Sequence, residues 1–505
     1  MRNTRKRLDS LVFLLLDRVL KIKNRKIIQR LLQNDANGDI IGKSERRCVP
    51  MNEKNTKIGE NKLIDNCIGQ AKEAYSISPE AFANPRVKRG LRENDGTGVM
   101  VGVTNIGNAH GYIIYEGERV ADKGQLFYRG YDMAQLVDSY AKEDRYGFEE
   151  CIYLLLFGKL PNKEELDDFC ALLAAKRHLP PRFTEDVIMK APGRSIMNKM
   201  AMSVLALYAY DENPDDTSIE NVVRQSIEII ARLPIIAAHS YAVYRNVYCE
   251  KSLNLHKPHD DIGTAQNFLR VLRSSKKYTE EEARLLDTCM VIHAEHGGGN
   301  NSTFTCRVLS SSGTDTYSAI AAAIGSLKGP LHGGANIKVQ NMFDCIKANI
   351  KDVNDYEEIA EFLKKILRGE AYDGSGLIYG MGHAIYTKSD PRAVMLKKYA
   401  EKLAYEKGYG DDFKLLEAIE HITPVLFNEH KGTNKAMCAN VDLYSGLVYR
   451  MLDIPVEMYT PLFAIARVAG WCAHRIEEFE TGKRIIRPAY KCIADVKDYA
   501  PIDER

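Results

Sequence analysis

Residues 329–336 read GPLHGGAN: a histidine lies among glycines and small residues, directly after a proline and a leucine. Proline followed by small residues is typical of a helix start, where backbone N–H groups are free. A histidine near that positive helix end has a lowered pKa. His332 is therefore predicted to be neutral and able to donate a hydrogen bond. On this stretch alone, a loop histidine without a function explains the pattern equally well.

A second histidine-rich stretch, HAEHGGGNNSTFTCR, occupies residues 293–307. A helix that opens with a capping box of Thr279 and Glu282 is predicted to end at the triple glycine. His296 would then lie in the last turn, where the helix dipole favours a cationic imidazole that suits a carboxylate ligand. Two alternatives stay open: histidines that only cap a helix end, and a metal site. Metal fits poorly, because His293 is three residues from His296 and zinc helices use a spacing of four.

A third stretch, GLIYGMGHAIYTKSDPRA at residues 376–393, again combines glycines with a histidine, His383, and a basic residue, Arg392. Three further polar residues stand in apolar stretches near the C terminus: Asp442 in ANVDLYSG, Arg467 in FAIARVAG and Arg487 in IIRPAY. Taken singly, a buried salt bridge explains such residues. Together they predict a site for a small polyanion, because guanidinium groups bind carboxylates in a forked geometry.

The bulk composition is that of a soluble globular protein with more than one domain: 505 residues, 45% apolar and 27% charged. A formal net charge of +2 gives no electrostatic case for a nucleic-acid partner. The 11 cysteines are scattered without a CxxC pair, which favours a reducing compartment over a disulfide framework.

The N-terminal residues 1–30 carry ten Lys/Arg against two Asp. Their apolar stretch, residues 11–16, is too short for a signal peptide or a membrane span, so no membrane partner is expected. A transit peptide, a basic surface helix and a dispensable extension with Met51 as the biological start all remain open. We predict that residues 1–70 form a basic and polar extension, disordered or not native, and that the protein is cytoplasmic, or organellar if a transit peptide is present.

Helical periodicity dominates the chain after about residue 130, and β-branched residues with glycine turns indicate a strand or hairpin region within Val99–Phe127. A capping box of Asn162 and Glu165 opens one helix before Pro180. The stretches SIENVVRQSIEIIARLP and DYEEIAEFLKKILRG predict further helices. The predicted class is mainly α with a small N-terminal β region.

GPLHGGAN, GMGHAIYTKSDPRA and ANVDLYSG, in this order and spacing, resemble the citrate synthase family, especially its bacterial members, which include 2-methylcitrate synthases. LFYRGYDMAQLVD followed by FEECIYLLLFGKLPN resembles the family's N-terminal region, so the resemblance extends from Val99 to the C terminus. It implies a multi-helical homodimer of two-domain chains. The large domain would comprise residues 71–332 and 447–505, the small domain residues 333–446, and the active site would lie between them.

The resemblance also implies roles for single residues. His332 matches the histidine that binds the thioester carbonyl of acetyl-CoA, and Asp442 matches the general base that removes the methyl proton. His383 matches the histidine that polarises the oxaloacetate carbonyl. Four residues match groups that bind the carboxylates of oxaloacetate, the last of them across the dimer interface in the partner's site: His296, Arg392, Arg467 and Arg487.

Contacts with CoA are implied at four positions: Lys388, Lys435, Gly380 and Gly382. The chain departs from the family here. Family members often carry a basic residue four places after the histidine equivalent to His383, where this chain has Thr387. Bacterial relatives often have Tyr-Pro where Cys438 and Ala439 stand.

The implied activity is an acyltransferase reaction of the tricarboxylic acid cycle: acetyl-CoA, oxaloacetate and water give citrate and CoA through an enol, without a metal or other cofactor. A 2-methylcitrate synthase using propionyl-CoA is the main alternative, since one methylene changes discrimination by only about 1–3 kcal/mol. A citryl-CoA lyase is disfavoured because no ATP-grasp or Walker-type segment is present. A helical metalloprotein and a catalytically inactive homologue are further alternatives. The inactive homologue is disfavoured because His332, His383 and Asp442 are all present.

Overall fold

The structure, a computed structural model, describes residues 57–93, 96–482 and 484–504, in a chain that forms two units, residues 1–89 and 90–505. The described part of the first unit contains helix α1, Lys57–Ala74, and a single 3₁₀ turn, Pro79–Phe82. The turn is capped by Ser78, whose hydroxyl accepts from the Glu80 N–H. The predictions for residues 1–56, including Met51 as the start, lie outside the described residues.

The second unit opens with an antiparallel sheet of strands β1 (Gly107–Tyr115), β2 (Glu118–Tyr128) and β3 (Tyr131–Asp132), in the order β1-β2-β3. A tight turn joins β1 to β2, and its residues Glu116 and Gly117 have φ angles of +50° and +84°. The turn has the left-handed backbone that two-residue hairpins require. The predicted hairpin region is therefore confirmed.

The other regular elements of the described chain are helices. The helices are α2 Met133–Lys142, α3 Phe148–Phe157, α4 Lys163–Lys176, α5 Ile196–Leu207, α6 Ile219–Cys249, α7 Thr264–Leu272, α8 Glu280–His293, α9 Asn301–Ser310, α10 Thr316–Leu327, α11 Ala335–Asn349, α12 Tyr356–Leu367, α13 Pro391–Glu406, α14 Gly410–Lys431, α15 Val441–Met451 and α16 Tyr459–Thr481. Single turns occupy Arg89–Leu91, Thr184–Met189, Tyr208–Tyr210, Val456–Met458 and Ile502–Glu504. The mainly α class is confirmed.

Two helix starts lie where the sequence placed them. Asn162 and Glu165 form a reciprocal capping box at the start of α4, and Thr279 and Glu282 form another at the start of α8. In both, a side chain satisfies a backbone N–H that has no partner inside the helix. These local signals depend only on neighbouring residues, which is why the sequence reveals them.

Helix α6 continues through Pro234 to Cys249, well beyond the stretch that predicted it. It is the one helix in the described residues long and apolar enough to cross a membrane, but 83% of its apolar window is buried in the protein, as in a core helix. Helix α6 packs against α16, whose residues are almost all buried, and α16 in turn contacts α8 and α9. Helix α15 packs against α11 and α13, and α13 contacts α8. The domain boundaries at 333 and 446 stay a prediction.

Candidate active site

A glycine turn joins the loop that carries His383 to the start of α15. Gly380 and Gly382 have φ angles of +85° and +84°, which favour glycine. The Gly382 N–H donates to the Cys438 carbonyl at 2.8 Å, and the Asn440 N–H donates to the Gly380 carbonyl at 2.8 Å. This short antiparallel pairing fixes the His383 loop against the helix that begins with Val441 and Asp442.

The imidazole of His383 is held as one tautomer. The backbone N–H groups of Ile385 and Tyr386 donate to its Nδ1 at 3.1 and 3.2 Å. Nδ1 is therefore unprotonated, and Nε2 carries the hydrogen. Arg392 Nη2 lies 3.3 Å from Nε2 as a contact, because an arginine cannot accept a hydrogen bond. Burial, reinforced by the Arg392 charge, lowers the pKa of His383 to about 4. His383 is thus a neutral donor.

Asp442 lies in the first turn of α15, where its N–H donates to the Asn440 side chain at 3.0 Å. Its Oδ1 atom is buried and has no hydrogen-bond partner among the described residues. Burial raises the pKa of Asp442 to about 6, against the opposing influence of Arg392. The result is a carboxylate that is poorly solvated but still ionised near neutral pH, which is what a general base requires.

His332 lies outside a helix, contrary to the prediction. Helix α11 begins at Ala335, three residues later than His332. Burial lowers the pKa of His332 to about 4, followed by the charges of Arg467 and Arg392. His332 is therefore neutral, as predicted, and burial is the largest cause of its lowered pKa.

Ser302 and Trp471 orient His332, and neither role was predicted from the sequence. The Trp471 Nε1–H donates to Ser302 Oγ at 3.1 Å, and His332 Nε2 lies 3.1 Å from the same oxygen. Asn300 Oδ1 is a second acceptor, 2.9 Å from that oxygen. When the single hydroxyl hydrogen is donated to His332 Nε2, the imidazole keeps its hydrogen on Nδ1 and can donate it to a ligand.

His296 differs from the prediction in both position and charge. Helix α8 ends at His293, not at the triple glycine, and Gly297 has a φ of +83°. His296 is only 6% exposed, and its ring centre lies 5.2 Å from that of His383. Burial lowers its pKa far below the usual range, followed by the Arg392 charge. The predicted cationic imidazole is wrong, because no helix end stabilises a charge in this buried position.

Arg392 occupies the first turn of α13 and is 4% exposed. Its Nε and Nη2 donate to the two carboxylate oxygens of Asp390, at 3.0 and 2.8 Å. Asp390 also accepts from the Val441 N–H at 3.2 Å, so one carboxylate joins the starts of α13 and α15. The sequence contained a signal for Asp390, because an aspartate before Pro391 is a typical helix N-cap.

Arg467 is fully buried in α16, and its Nε donates to the His293 carbonyl at 2.6 Å. Within the described ranges no acidic side chain forms an ion pair with it, and its Nη1 and Nη2 have no hydrogen-bond partner there. A buried salt bridge therefore does not explain this residue. Burial lowers its pKa to about 10, so the guanidinium stays charged. Two buried donors on a cation indicate a site for an anion.

Glu295 anchors the turn after His296 through a buried network that the sequence did not reveal. Its Oε1 accepts from the Gly297 N–H and from His474 Nε2, the latter at 2.9 Å. Arg307 Nε donates to His474 Nδ1 at 3.0 Å, so His474 donates to Glu295 through Nε2. Arg307 also pairs with Glu477 and Glu478.

The metal interpretation of HAEH finds no support. His293 packs edge-on against Phe463 and Glu295 bonds to His474, whereas His296 faces His383. In the part of the chain that the structure describes, no three His, Cys, Asp or Glu side chains are grouped as metal ligands.

The three remaining basic residues of the predicted site are on the surface. Arg487 is exposed in the extended C-terminal segment, next to Ile486, which lines a cavity of about 460 Å³ with His296 and His383. Lys388 and Lys435 are exposed as well. The structure explains Gly380 and Gly382 by their backbone conformation. Contacts of these positions with CoA or a partner subunit stay predictions.

Fold and site together define a helical protein in which neutral histidines and a poorly solvated carboxylate lie near buried arginines suited to a small anion. A family model described as "Citrate synthase, C-terminal domain" matches residues 96–489. The chain is 36% identical to citrate synthase of Haloferax volcanii over 76% of this chain and 94% of the relative. It is 30% identical to 2-methylcitrate synthase 1 of Corynebacterium glutamicum over 76% of this chain and 93% of that relative.

One similar solved structure is a ternary complex of carboxymethyl coenzyme A and oxaloacetate with citrate synthase of Thermoplasma acidophilum. It has a TM-score of 0.68 and 29% identity, and covers 84% of this chain and all of that one. The chain belongs to the citrate synthase family.

Proposed function

We propose that this chain condenses acetyl-CoA with oxaloacetate and water to give citrate and free CoA. The observation that carries the proposal is one partly buried cluster: a carboxylate with a raised pKa, Asp442, and two neutral histidines, His332 and His383. The Arg392 charge acts to lower the pKa of all three groups, and the pairing of Gly380 with Asn440 fixes the His383 loop against the helix that carries Asp442. Such a cluster supplies both a general base and hydrogen-bond donors, and the donor imidazoles are uncharged.

In the first step Asp442 removes a proton from the methyl group of the thioester. Its carboxylate alone is too weak a base for a thioester methyl, so the enol oxygen must be stabilised as it forms. His332 supplies a neutral hydrogen-bond donor for that oxygen, and one such preorganised donor is typically worth about 3–4 kcal/mol.

In the second step the enol carbon attacks the carbonyl carbon of oxaloacetate, and a carbon–carbon bond forms. His383 donates through Nε2 to the carbonyl oxygen and protonates it as the alkoxide develops. Arg392, Arg467 and His296 bind the two carboxylates and orient the carbonyl carbon. Water then hydrolyses the citryl thioester and releases CoA. Side chains supply all the proton transfers, so we propose an acyltransferase without a metal or redox cofactor.

The same proposal includes a homodimer in which Arg487 binds substrate in the partner's site. Its support is the exposed, extended position of Arg487 and the resemblance of IIRPAY to the family's arginine motif. We also propose a reducing, cytoplasmic location, for which the support is that all ten cysteines among the described residues are free.

The test is free-thiol release from purified protein with oxaloacetate and either acetyl-CoA or propionyl-CoA. We expect acetyl-CoA to be preferred at least tenfold, because the citrate synthase relative is more similar to the chain than the 2-methylcitrate synthase is. A preference for propionyl-CoA would make 2-methylcitrate the product. Absence of thiol release with both donors would refute condensation altogether.

A further inference from the structure

Tyr386 is the aromatic centre of the site, and the sequence assigned it no role. It is 1% exposed, and its ring lies 4.6 Å from the His383 ring, nearly parallel at 21°. The ring also meets His296 edge-on, with the centres 5.6 Å apart. One side chain therefore contacts both histidines that are assigned to oxaloacetate.

The Tyr386 hydroxyl is a buried hydrogen-bond donor close to Arg392 and Arg467, the two buried arginines assigned to the carboxylates of oxaloacetate. It has no hydrogen-bond partner within residues 57–93, 96–482 and 484–504. Burial raises the pKa of Tyr386, so the hydroxyl keeps its proton. The charged groups that act most strongly on its oxygen are Arg392, Asp390 and Arg467. The guanidinium carbon of Arg392 lies 5.7 Å from the ring centre.

The hairpin keeps the ring in this position. A Cβ atom added to Gly124 on β2 would lie 2.9 Å from Tyr386 Cδ1 and would collide with the Ser389 carbonyl. One added to Gly111 on β1 would lie 2.7 Å from the Ile385 carbonyl. The loop is thus packed directly on the hairpin backbone, and the phenol has no space to turn away on that side.

We propose that Tyr386 is a further substrate-binding residue, whose hydroxyl donates to a carboxylate of oxaloacetate bound between Arg392 and Arg467 while its ring supports the His383 imidazole. The proposal rests on the function proposed above. Its argument is that a buried hydroxyl costs free energy unless it is hydrogen-bonded. A substrate carboxylate beside two guanidinium groups provides the missing acceptor.

The test is Tyr386→Phe, which removes the hydroxyl and retains the ring. We expect the Kd of oxaloacetate, measured by calorimetry, and its KM to rise about tenfold. The KM of acetyl-CoA and the melting temperature should not change. Tyr140→Phe is the matched control, because Tyr140 is 4% exposed, lies at a separate cavity and also has no partner for its hydroxyl among the described residues. It should leave the Kd of oxaloacetate unchanged.

A second variant, Tyr386→Leu, removes the ring as well. We expect it to lower kcat about tenfold below Tyr386→Phe, because His383 then loses its stacking partner. An oxaloacetate Kd within twofold of wild type in Tyr386→Phe would overturn the proposal. Wild-type protein that binds oxaloacetate but releases no thiol would refute the condensation and leave the hydroxyl assignment standing. Wild-type protein that binds no oxaloacetate would overturn both.

Discussion

Asp442 is the residue on which the proposed chemistry depends most directly. Its carboxylate has few competing interactions: the Oδ1 atom has no hydrogen-bond partner in the described part of the chain, and burial raises the pKa to about 6. Replacing it with asparagine retains size and polarity but removes the base. We expect Asp442→Asn to lower kcat by roughly 10²–10⁴-fold, the range of a lost general base. The Kd of oxaloacetate, measured by calorimetry, should stay within about threefold of wild type.

Thermal unfolding of the same variant is its control. The folded pKa of Asp442 lies above the ordinary value of 3.8, so its stabilising contribution is complete below pH 4 and is lost as pH rises through about 6. Asparagine resembles the neutral acid at every pH. Asp442→Asn should therefore melt no lower than wild type at pH 8. A melting temperature of Asp442→Asn below that of wild type at pH 8 would mean that the lost activity reflects damage to the fold.

The pH dependence of the reaction is a second prediction for single residues. Because the base acts as a carboxylate, kcat/KM for acetyl-CoA should fall tenfold per pH unit below about 6, where Asp442 becomes protonated. His332 and His383, with pKa values lowered to about 4, stay neutral above pH 5 and add no break near 6.5. A rate profile from pH 4.5 to 9 tests this. A fall of kcat/KM at acid pH that follows a single pKa of 6.5 or above would assign the titration to a histidine.

At the scale of elements, the glycine turn before His383 sets the distance between that histidine and α15. A Cβ atom on Gly380 would lie 3.0–3.1 Å from the side chain and Cα of Leu443. A Cβ atom on Gly382 would have no neighbouring atom within 4 Å, although both glycines have the same left-handed backbone. We expect Gly382→Ala to cost only the backbone strain, about 1–2 kcal/mol. Gly380→Ala should cost more and lower kcat at least tenfold, because Leu443 and its neighbour Asp442 must shift.

Melting temperatures and kcat of the two glycine variants separate a loss of stability from a loss of catalytic rate. Equal losses in both variants would show that crowding against Leu443 does not matter. A selective rise in the KM of acetyl-CoA in Gly382→Ala, without loss of stability, would support a CoA contact at that glycine.

Helix boundaries show where local sequence signals are sufficient. The starts of α4 and α8 follow from capping residues, because each cap is formed within four residues. The end of α8 did not follow from the triple glycine, since Glu295 leaves the helix to bond with His474, which is far away in sequence. The start of α11 was placed too early for a related reason. Pro330 and the glycines that follow form turns around His332 before the helix begins.

At the scale of the whole molecule, the sequence revealed the groups to which we assign the chemistry and missed the groups that hold them. His332, His383, Asp442 and the buried arginines stand in motifs with unusual local composition. Ser302, Trp471 and His474 stand in ordinary helices, and their roles arise only when α9 and α16 pack together. Pairing between distant residues depends on the tertiary fold, and one sequence without that fold contains no signal for it.

The proposed exchange of Arg487 between subunits leads to the last prediction. Asp442→Asn and Arg487→Ala should each be nearly inactive as homodimers. If Arg487 acts in the partner's site, a mixed dimer contains one intact site, with Asp442 from one chain and Arg487 from the other. Random pairing makes about half of the dimers mixed, so the co-expressed pair should recover about one quarter of the wild-type rate per chain. Differently tagged chains, purified through both tags, are all mixed dimers and should show about one half of the wild-type rate per chain, because one of their two sites is intact. Mixed dimers without activity would show that Arg487 acts within its own chain or not at all.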